Sequence, residues 1–368
     1  MICSLRSSVL LFEKSARPFI LKELEILASV VGISIEEKVS IRVNGTGIRV
    51  SDYKLDELEK KLKETGSDLV LVQPDLPPSE KIAIMKKTKA DVLDRTALLL
   101  EVFEVNAGSR EAKLQIEVAK YKHEIPLLRE ILNRSKRGEL PGFMAGGTYA
   151  IDRYYKQVRK SVARARRELE EIRKRRAVLR ERRKKVGLPS VAIVGYANAG
   201  KTTLFNALTG NNKAVGPTPF TTLSPKTSRH LSLPMLLVDT VGFVLNVPPE
   251  IVEAFYGTLE EIKEADALIF ALDIGEEEDV LEEQMKQAAE TFSNLDSIYK
   301  PVVIAANKID SVIEGDLERK AELIAARASK IFPKYLGTHL ISALRRMGIE
   351  EVEEAVWLAL NQRQECLG

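Results

Sequence analysis

Residues 191–202 read VAIVGYANAGKT: a short apolar run that breaks into glycines and ends on a lysine and a hydroxyl residue. The apolar run has the length and composition of a buried strand, and TLFNALTG at 203–210 has helical periodicity. The Gly-rich segment therefore sits at a strand-to-helix turn, the context a phosphate-binding loop requires. Gly195 and Gly200 let the main chain curl so that successive N–H groups face a polyanion, with a helix N-terminus behind them. The expected cradle comprises Gly195, Tyr196, Ala197, Asn198, Ala199, Gly200, Lys201, Thr202 and Thr203. In it Lys201 bridges the β- and γ-phosphates and the Thr202 hydroxyl ligates Mg²⁺.

Asn307–Asp310, about a hundred residues further on, read NKID after the strand-like PVVIAA. A carboxylate at Asp310 accepts from the guanine N1–H and exocyclic amine, a donor pair that adenine lacks, while Asn307 and Lys308 shape the base pocket. Ser342, Ala343 and Leu344, following THLI, fit a loop that offers a backbone N–H to guanine O6. Between the phosphate and base motifs, MLLVD leads into Asp239-Thr240-Val241-Gly242. There Asp239 binds Mg²⁺ through water and the Gly242 N–H touches the γ-phosphate. Residues 219–223, PFTTL, lack regular periodicity. Phe220, Thr221 and Thr222 belong to this switch stretch, with Thr222 the expected Mg²⁺ ligand and Thr221 its rival. Release of both segments on loss of the γ-phosphate makes an order-to-disorder switch. Lys201, Thr222 and Gly242 are the residues expected to act on the transferred phosphate.

Phe243 follows the D-x-x-G, where many GTPases carry a Gln that orients the attacking water. A phenyl ring has no group for that task, so intrinsic turnover is expected to be slow and the ring to pack against a neighbour. Asn198 is a second unusual residue. Its carboxamide suits either a monovalent cation such as K⁺ beside the phosphates or a hydrogen bond bracing the loop.

With 368 residues, 45% apolar and 30% charged, the chain suits two or three soluble domains, each able to bury a core. No apolar run approaches the ~20 residues of a membrane span, and VLLF near the start is too short for a signal peptide. Cys3 and Cys366 lie near opposite ends without metal-ligand spacing. A cytoplasmic, monomeric protein is expected. The net charge of +3 conceals a bipolar distribution: residues 152–185 carry 16 Lys/Arg against 5 Asp/Glu, and residues 187–368 carry 16 against 26. Such a concentrated basic segment suits a polyanionic partner.

Residues 1–108 alternate strand-like and helical runs: SVLLF, PFILKELEILASVV, KVSIRV, LDELEKKL, SDLVLVQ, a segment after PPSEK, and ADVLD. A small α/β domain with a parallel sheet is expected. In residues 109–186 two apolar seams step by threes and fours, one through Leu114, Val118, Tyr121, Ile125, Leu128 and Leu132, the other from Ile151 to Val186. They predict an antiparallel, coiled-coil-like hairpin with a basic second helix, a kink at Pro126 and a mobile Gly-rich tip. Gly187-Leu188-Pro189 then opens a doubly wound, Ras-like P-loop domain over 187–368.

The order of these motifs, with DRT at Asp94–Thr96, LQIEVA at 114–119, FTTLSP, and LLVDTVGF at 236–243, resembles the HflX family of GTPases across nearly the whole chain. The resemblance implies GTP and GDP binding, Mg²⁺, and GTP-dependent association with the large ribosomal subunit and its rRNA. In relatives that activity splits or rescues stalled ribosomes, and the ribosome stimulates turnover. One departure is plain: the family's G-x-G-x-R-G-P-G-E-T loop is replaced by GELPGFMAGGTY, so contacts made by that loop are not carried over.

Overall fold

A computed structural model describes residues 6–41, 49–139, 147–185, 187–211, 226–243, 256–312 and 314–365. In the N-terminal part, β1 (Arg6–Glu13), β2 (Ile33–Ile41), β3 (Leu69–Gln73) and β4 (Asp91–Asp94) form a parallel sheet in the order β2-β1-β3-β4. The apolar runs sort themselves by position: Val9–Leu11 and Leu69–Val72 fill the two central strands and are almost wholly buried, whereas edge strand β2 alternates in exposure. Helices α1 (Pro18–Val30), α2 (Asp52–Thr65), α3 (Pro78–Thr88) and α4 (Arg95–Asn106) link or follow the strands. Helix α2 starts where the Ser51 hydroxyl accepts from the Lys54 N–H and stops at Gly66, held at φ 67°. Its Leu55, Leu58 and Leu62 form one buried stripe. Helix α4 has no such stripe, because Leu98, Leu99, Leu100, Val102 and Phe103 are all buried. A helix covered on nearly every side lacks the amphipathic period that would separate it from a strand in sequence.

Helices α5 (Arg110–Lys136) and α6 (Gly147–Lys185) follow. Ser109 caps α5 by accepting from the Ala112 N–H. Arg110 grips Glu168 with both Nε and Nη2, and Tyr154 reaches Glu124, so the paired residues run in opposite directions, as in an antiparallel hairpin. The expected seam is buried at Val158, Val162, Ala165 and Leu169, with exposed basic residues around it. Helix α5 runs on through Pro126 rather than ending there, at the loss of one helical hydrogen bond. The central part of the Gly-rich tip, 140–146, lies outside the described residues. By internal contact the chain divides into two units with a break after Glu170, inside α6, while the helix itself ends before Gly187, at φ 74°.

The C-terminal sheet has the order β10-β9-β8-β5-β7-β6. It is built from β5 (Ser190–Gly195), β6 (Lys226–Arg229), β7 (Leu236–Asp239), β8 (Ala267–Asp273), β9 (Val302–Asn307) and β10 (Tyr335–Leu340). All pair in parallel except β6, which is antiparallel to β7. Helices α7 (Lys201–Thr209), α8 (Tyr256–Glu264), α9 (Glu278–Asn294), α10 (Glu314–Ile331) and α11 (Ile349–Glu365) complete the doubly wound α/β arrangement. Continuous apolar runs in β5, β8 and β9 are buried on both faces; Leu204 and Phe205 of α7 and Val352 and Val356 of α11 pack on one of them. The register sets Ile193 beside Asp239, Gly195 beside Ala271, and Asp273 beside Asn307. Four strands thus deliver Gly195, Asp239, Asp273 and Asn307 to one edge, the carboxyl end where doubly wound sheets bind ligands.

Candidate functional site

The phosphate loop leaves β5 at Gly195, whose φ of 146° and close approach to β8 exclude any side chain: an added Cβ would lie 2.3 Å from the Ala271 carbonyl oxygen. Gly200 is just as constrained, since at φ 87° a Cβ there would lie 2.1 Å from Asn307 Nδ2. Helix α7 starts at Lys201, so its first N–H groups face the loop. The Lys201 ammonium is buried and donates to the Tyr196 carbonyl at 2.7 Å. Burial lowers its pKa to about 8, and the nearby Asp239 carboxylate only partly opposes that shift. A further negative charge at this point would favour the ammonium.

Thr202 Oγ1 donates to Asp239 Oδ2 at 3.2 Å, so the hydroxyl of the loop and the carboxylate at the end of β7 come together. A hydroxyl and a buried carboxylate beside a polyphosphate cradle form an oxygen-only donor set that fits a hard divalent cation. Past Asp239, the D-x-x-G stretch lies along the phosphate loop. The Phe243 N–H donates to the Gly195 carbonyl at 2.8 Å and the Ala197 N–H donates to the Phe243 carbonyl at 3.0 Å. Gly242 is packed against Lys201 Nζ and Ala197, which a Cβ would meet at 3.0 and 3.1 Å. The Phe243 ring packs edge-on, its centroid 5.8 Å from that of Tyr196 and 6.1 Å from that of Phe292 on α9. The Tyr196 hydroxyl donates to the Gln284 carbonyl, also on α9, at 3.2 Å.

On the other side of the loop, Asn307 acts as a cross-brace. Its Nδ2 donates to the Ala199 carbonyl and its Oδ1 accepts from the Ala343 N–H, both at 2.9 Å, tying the phosphate loop to the Ser342–Leu344 loop. Ser342 donates to Asp310 Oδ1 at 2.6 Å while accepting from the Arg345 N–H. That hydrogen bond, more than any other contact, holds the Asp310 carboxyl below the usual carboxylate range, so it is an acceptor at neutral pH. Lys308 adopts φ 70° and pairs with Asp273 at 2.7 Å, and Asp273 also accepts from the Gly275 N–H. Paired backbone bonds between Ser342 and Met347 close the last loop, from which Leu344 points into solvent.

The structure thus links, by the contacts above, Tyr196, Ala197, Ala199, Gly200, Lys201, Thr202, Asp239, Gly242, Asn307, Asp310, Ser342 and Ala343, while Leu344 points into solvent. Phe220, Thr221 and Thr222 lie outside the described residues. Asp273 was missed by sequence reasoning; an acidic residue ending the run ALIFALD was the available signal.

A second polar cluster surrounds Asp94–Thr96 in the N-terminal part. Asp94 caps α4, binds both Lys81 and His123, and is wholly buried. Burial alone would raise its pKa, but the His123 hydrogen bond and the Lys81 charge together hold it at about 2. Arg95 pairs with Glu23, and Thr96 bonds Asp75 through both its N–H and its hydroxyl. The spread of Lys81, Asp94 and His123 over three elements leaves no contiguous motif.

Three family profiles match in succession: "GTP-binding GTPase N-terminal" over residues 20–104, "GTP-binding GTPase Middle Region" over 106–183, and "50S ribosome-binding GTPase" over 190–308. The chain is 41% identical over 353 residues to a protein named GTPase HflX from Hyperthermus butylicus, covering 94% of each. It is 34% identical to GTPase HflX from Saccharolobus solfataricus, covering 95% of this chain and 99% of that one. A crystal structure of a GTP-binding protein from Sulfolobus solfataricus in complex with GDP superposes with a TM-score of 0.51 at 28% identity, covering 97% of this chain and 99% of that one.

Proposed function

The chain belongs to the HflX family of GTPases, and from that premise we propose that it hydrolyses GTP slowly on its own and associates with the large ribosomal subunit, acting in ribosome splitting or rescue. The observation that carries the nucleotide half is the Asn307 cross-brace: one side chain bonds both the phosphate loop and the Ser342–Leu344 loop, beside an ionised Asp310. That arrangement supports a guanine pocket fixed at a set distance from a phosphate cradle. Lys201 and the loop N–H groups would bind the phosphates, and Asp310 would select guanine. Thr202 and Asp239 would hold Mg²⁺, with Thr222 joining them, and Gly242 would sense the γ-phosphate. When bound, the metal would neutralise charge on the phosphates. Phe243 cannot orient water, which supports slow unaided turnover.

Asn198 is exposed at φ 65°, and among the described residues its carboxamide makes no loop-bracing hydrogen bond. This favours a role in holding K⁺ beside the phosphates, which replacing K⁺ by Na⁺ during turnover measurements would test.

The ribosome half rests on α6. Arg153, Lys160, Arg164, Arg167 and Lys174 are exposed and, at helical spacing, lie opposite the seam of Val158, Val162, Ala165 and Leu169. Each phosphate such a stripe neutralises releases condensed counterions, so affinity for rRNA falls with salt. We expect the protein to act as a cytoplasmic monomer; among the described residues no helix is long and apolar enough to cross a membrane. The test is co-sedimentation with purified ribosomal subunits in GDP and in a non-hydrolysable GTP analogue. Large-subunit binding favoured by the analogue is expected, with a salt slope that flattens when Lys160, Arg164, Arg167 and Lys174 are changed to Glu. Unchanged affinity and slope in that variant would place the RNA contact elsewhere. A second reading, a GTPase of protein effectors alone, predicts no salt-sensitive co-sedimentation at all.

A further inference from the structure

The donors nearest the end of a bound triphosphate are already engaged within the chain. The Ala197 N–H is bonded to the Phe243 carbonyl, and Lys201 Nζ, bonded to the Tyr196 carbonyl, lies against Gly242. The stretch that must offer the Gly242 N–H to a γ-phosphate instead lies alongside the loop, with an isolated parallel bridge between Tyr196 and Phe243. A phosphate group entering between Gly242 and Lys201 would compete with the Phe243 carbonyl for the Ala197 N–H and with the Tyr196 carbonyl for the Lys201 ammonium. What holds the stretch down at its far end is the Phe243 ring, set edge-on between Tyr196 and Phe292. Phe292 is itself fully buried and continues into Phe270 and Phe332, so the anchor stands on the rigid interior of the domain.

We propose that Phe243 is a positioning residue for the triphosphate: its ring latches the D-x-x-G stretch onto the phosphate loop, where the stretch competes with a γ-phosphate but not with a diphosphate. This rests on the reading of the chain as a GTPase. The latch lowers affinity for triphosphate relative to diphosphate, and anything that draws Phe243 out of its niche raises it. The residue in the position of the usual Gln then has a task of its own, that of keeping the site in its diphosphate form until a partner or the triphosphate itself displaces it.

The test measures dissociation constants of the full chain for mant-GDP and for the non-hydrolysable mant-GMPPNP, both with Mg²⁺, in the parent protein and in Phe243→Ala, Phe243→Tyr and Phe292→Leu. Phe243→Ala removes the ring that packs edge-on against both Tyr196 and Phe292, and should shift the triphosphate-to-diphosphate affinity ratio toward triphosphate by on the order of three- to tenfold. Phe243→Tyr, which keeps the ring, should restore the parent ratio. Phe292→Leu takes away one of the two ring partners and should move the ratio the same way by less. A residue that merely packs would weaken both nucleotides together, so a ratio within twofold of the parent in Phe243→Ala and Phe292→Leu overturns the latch. Failure of mant-GDP to bind the parent protein would instead overturn the GTPase reading, which keeps the two outcomes distinct.

Discussion

Two buried lysines, Lys81 and Lys201, differ in what surrounds them. Lys81 has a carboxylate partner, Asp94, which in turn is bonded by His123 and the Ala97 N–H. Lys201 reaches a neutral carbonyl, that of Tyr196, and burial pulls its pKa down to about 8. Around Asp94 the charges are satisfied by one another, and the cluster ties α3, α4 and α5 together. Around Lys201, among the described residues, the cation has no directly bonded carboxylate, and the neighbouring Ala197 N–H is bonded to the Phe243 carbonyl. A self-neutralised cluster is built to hold a fold, whereas a cation stabilised only partly within the chain is built to receive an anion.

The largest expected effect comes from breaking the first cluster. Asp94→Ala leaves Lys81 buried without its counter-charge and should destabilise the N-terminal part by about 3–5 kcal/mol. Chemical denaturation followed by circular dichroism measures this; a loss below about 1 kcal/mol would mean that solvent already reaches the pair. In the same variant mant-GDP affinity should be unaltered, and a large change there would erase the contrast between the regions.

The pH dependence of stability sharpens the same point. A carboxyl held at about 2 in the folded chain, against roughly 4 when unfolded, stabilises the fold above about pH 4 and loses that contribution as pH falls from about 4 to about 2. The acid limb should therefore carry roughly 2–3 kcal/mol from this group. Denaturation midpoints measured at intervals from about pH 5 down to about pH 2 should show it, and an equally steep limb in Asp94→Asn would refute the assignment.

In the second region, Asp310→Asn should weaken GTP by roughly 1–3 kcal/mol and favour XTP, because the amide cannot accept from both guanine donors. Competition of unlabelled GTP and XTP against mant-GDP reads this directly. A change within twofold would mean that the base is selected elsewhere. The smallest effect is expected at Ser109, which caps α5: Ser109→Ala should cost about 1 kcal/mol in stability and leave both nucleotide affinities alone.

The clustering of the candidate site residues was largely legible because they lie in contiguous stretches at strand ends. GYANAGKT, DTVG and NKID each fall on a few successive residues at the end of an apolar run, so strand and turn are read together. The parallel sheet of the N-terminal part was legible from short continuous apolar runs set between helical patterns, and the seam of α6 from a periodicity that marks its buried face. Helix α4 was not, since burial on nearly every side removes the period. Nor was the Lys81–Asp94–His123 cluster, whose members lie 13 and 29 residues apart along the chain and meet only because α3 and α5 converge on the start of α4.

Local composition and spacing by themselves determined most of the alternation of strands and helices, the doubly wound class, the strand-to-helix turn at 195–201 and the bipolar charge, because each is a short-range property of the chain. Tertiary structure alone decided that Asn307 spans two loops, that Asp273 anchors Lys308, and that Phe243 lodges between Tyr196 and Phe292. These contacts join residues from different strands and helices, and their distances are set by sheet register and helix packing, which no local pattern encodes.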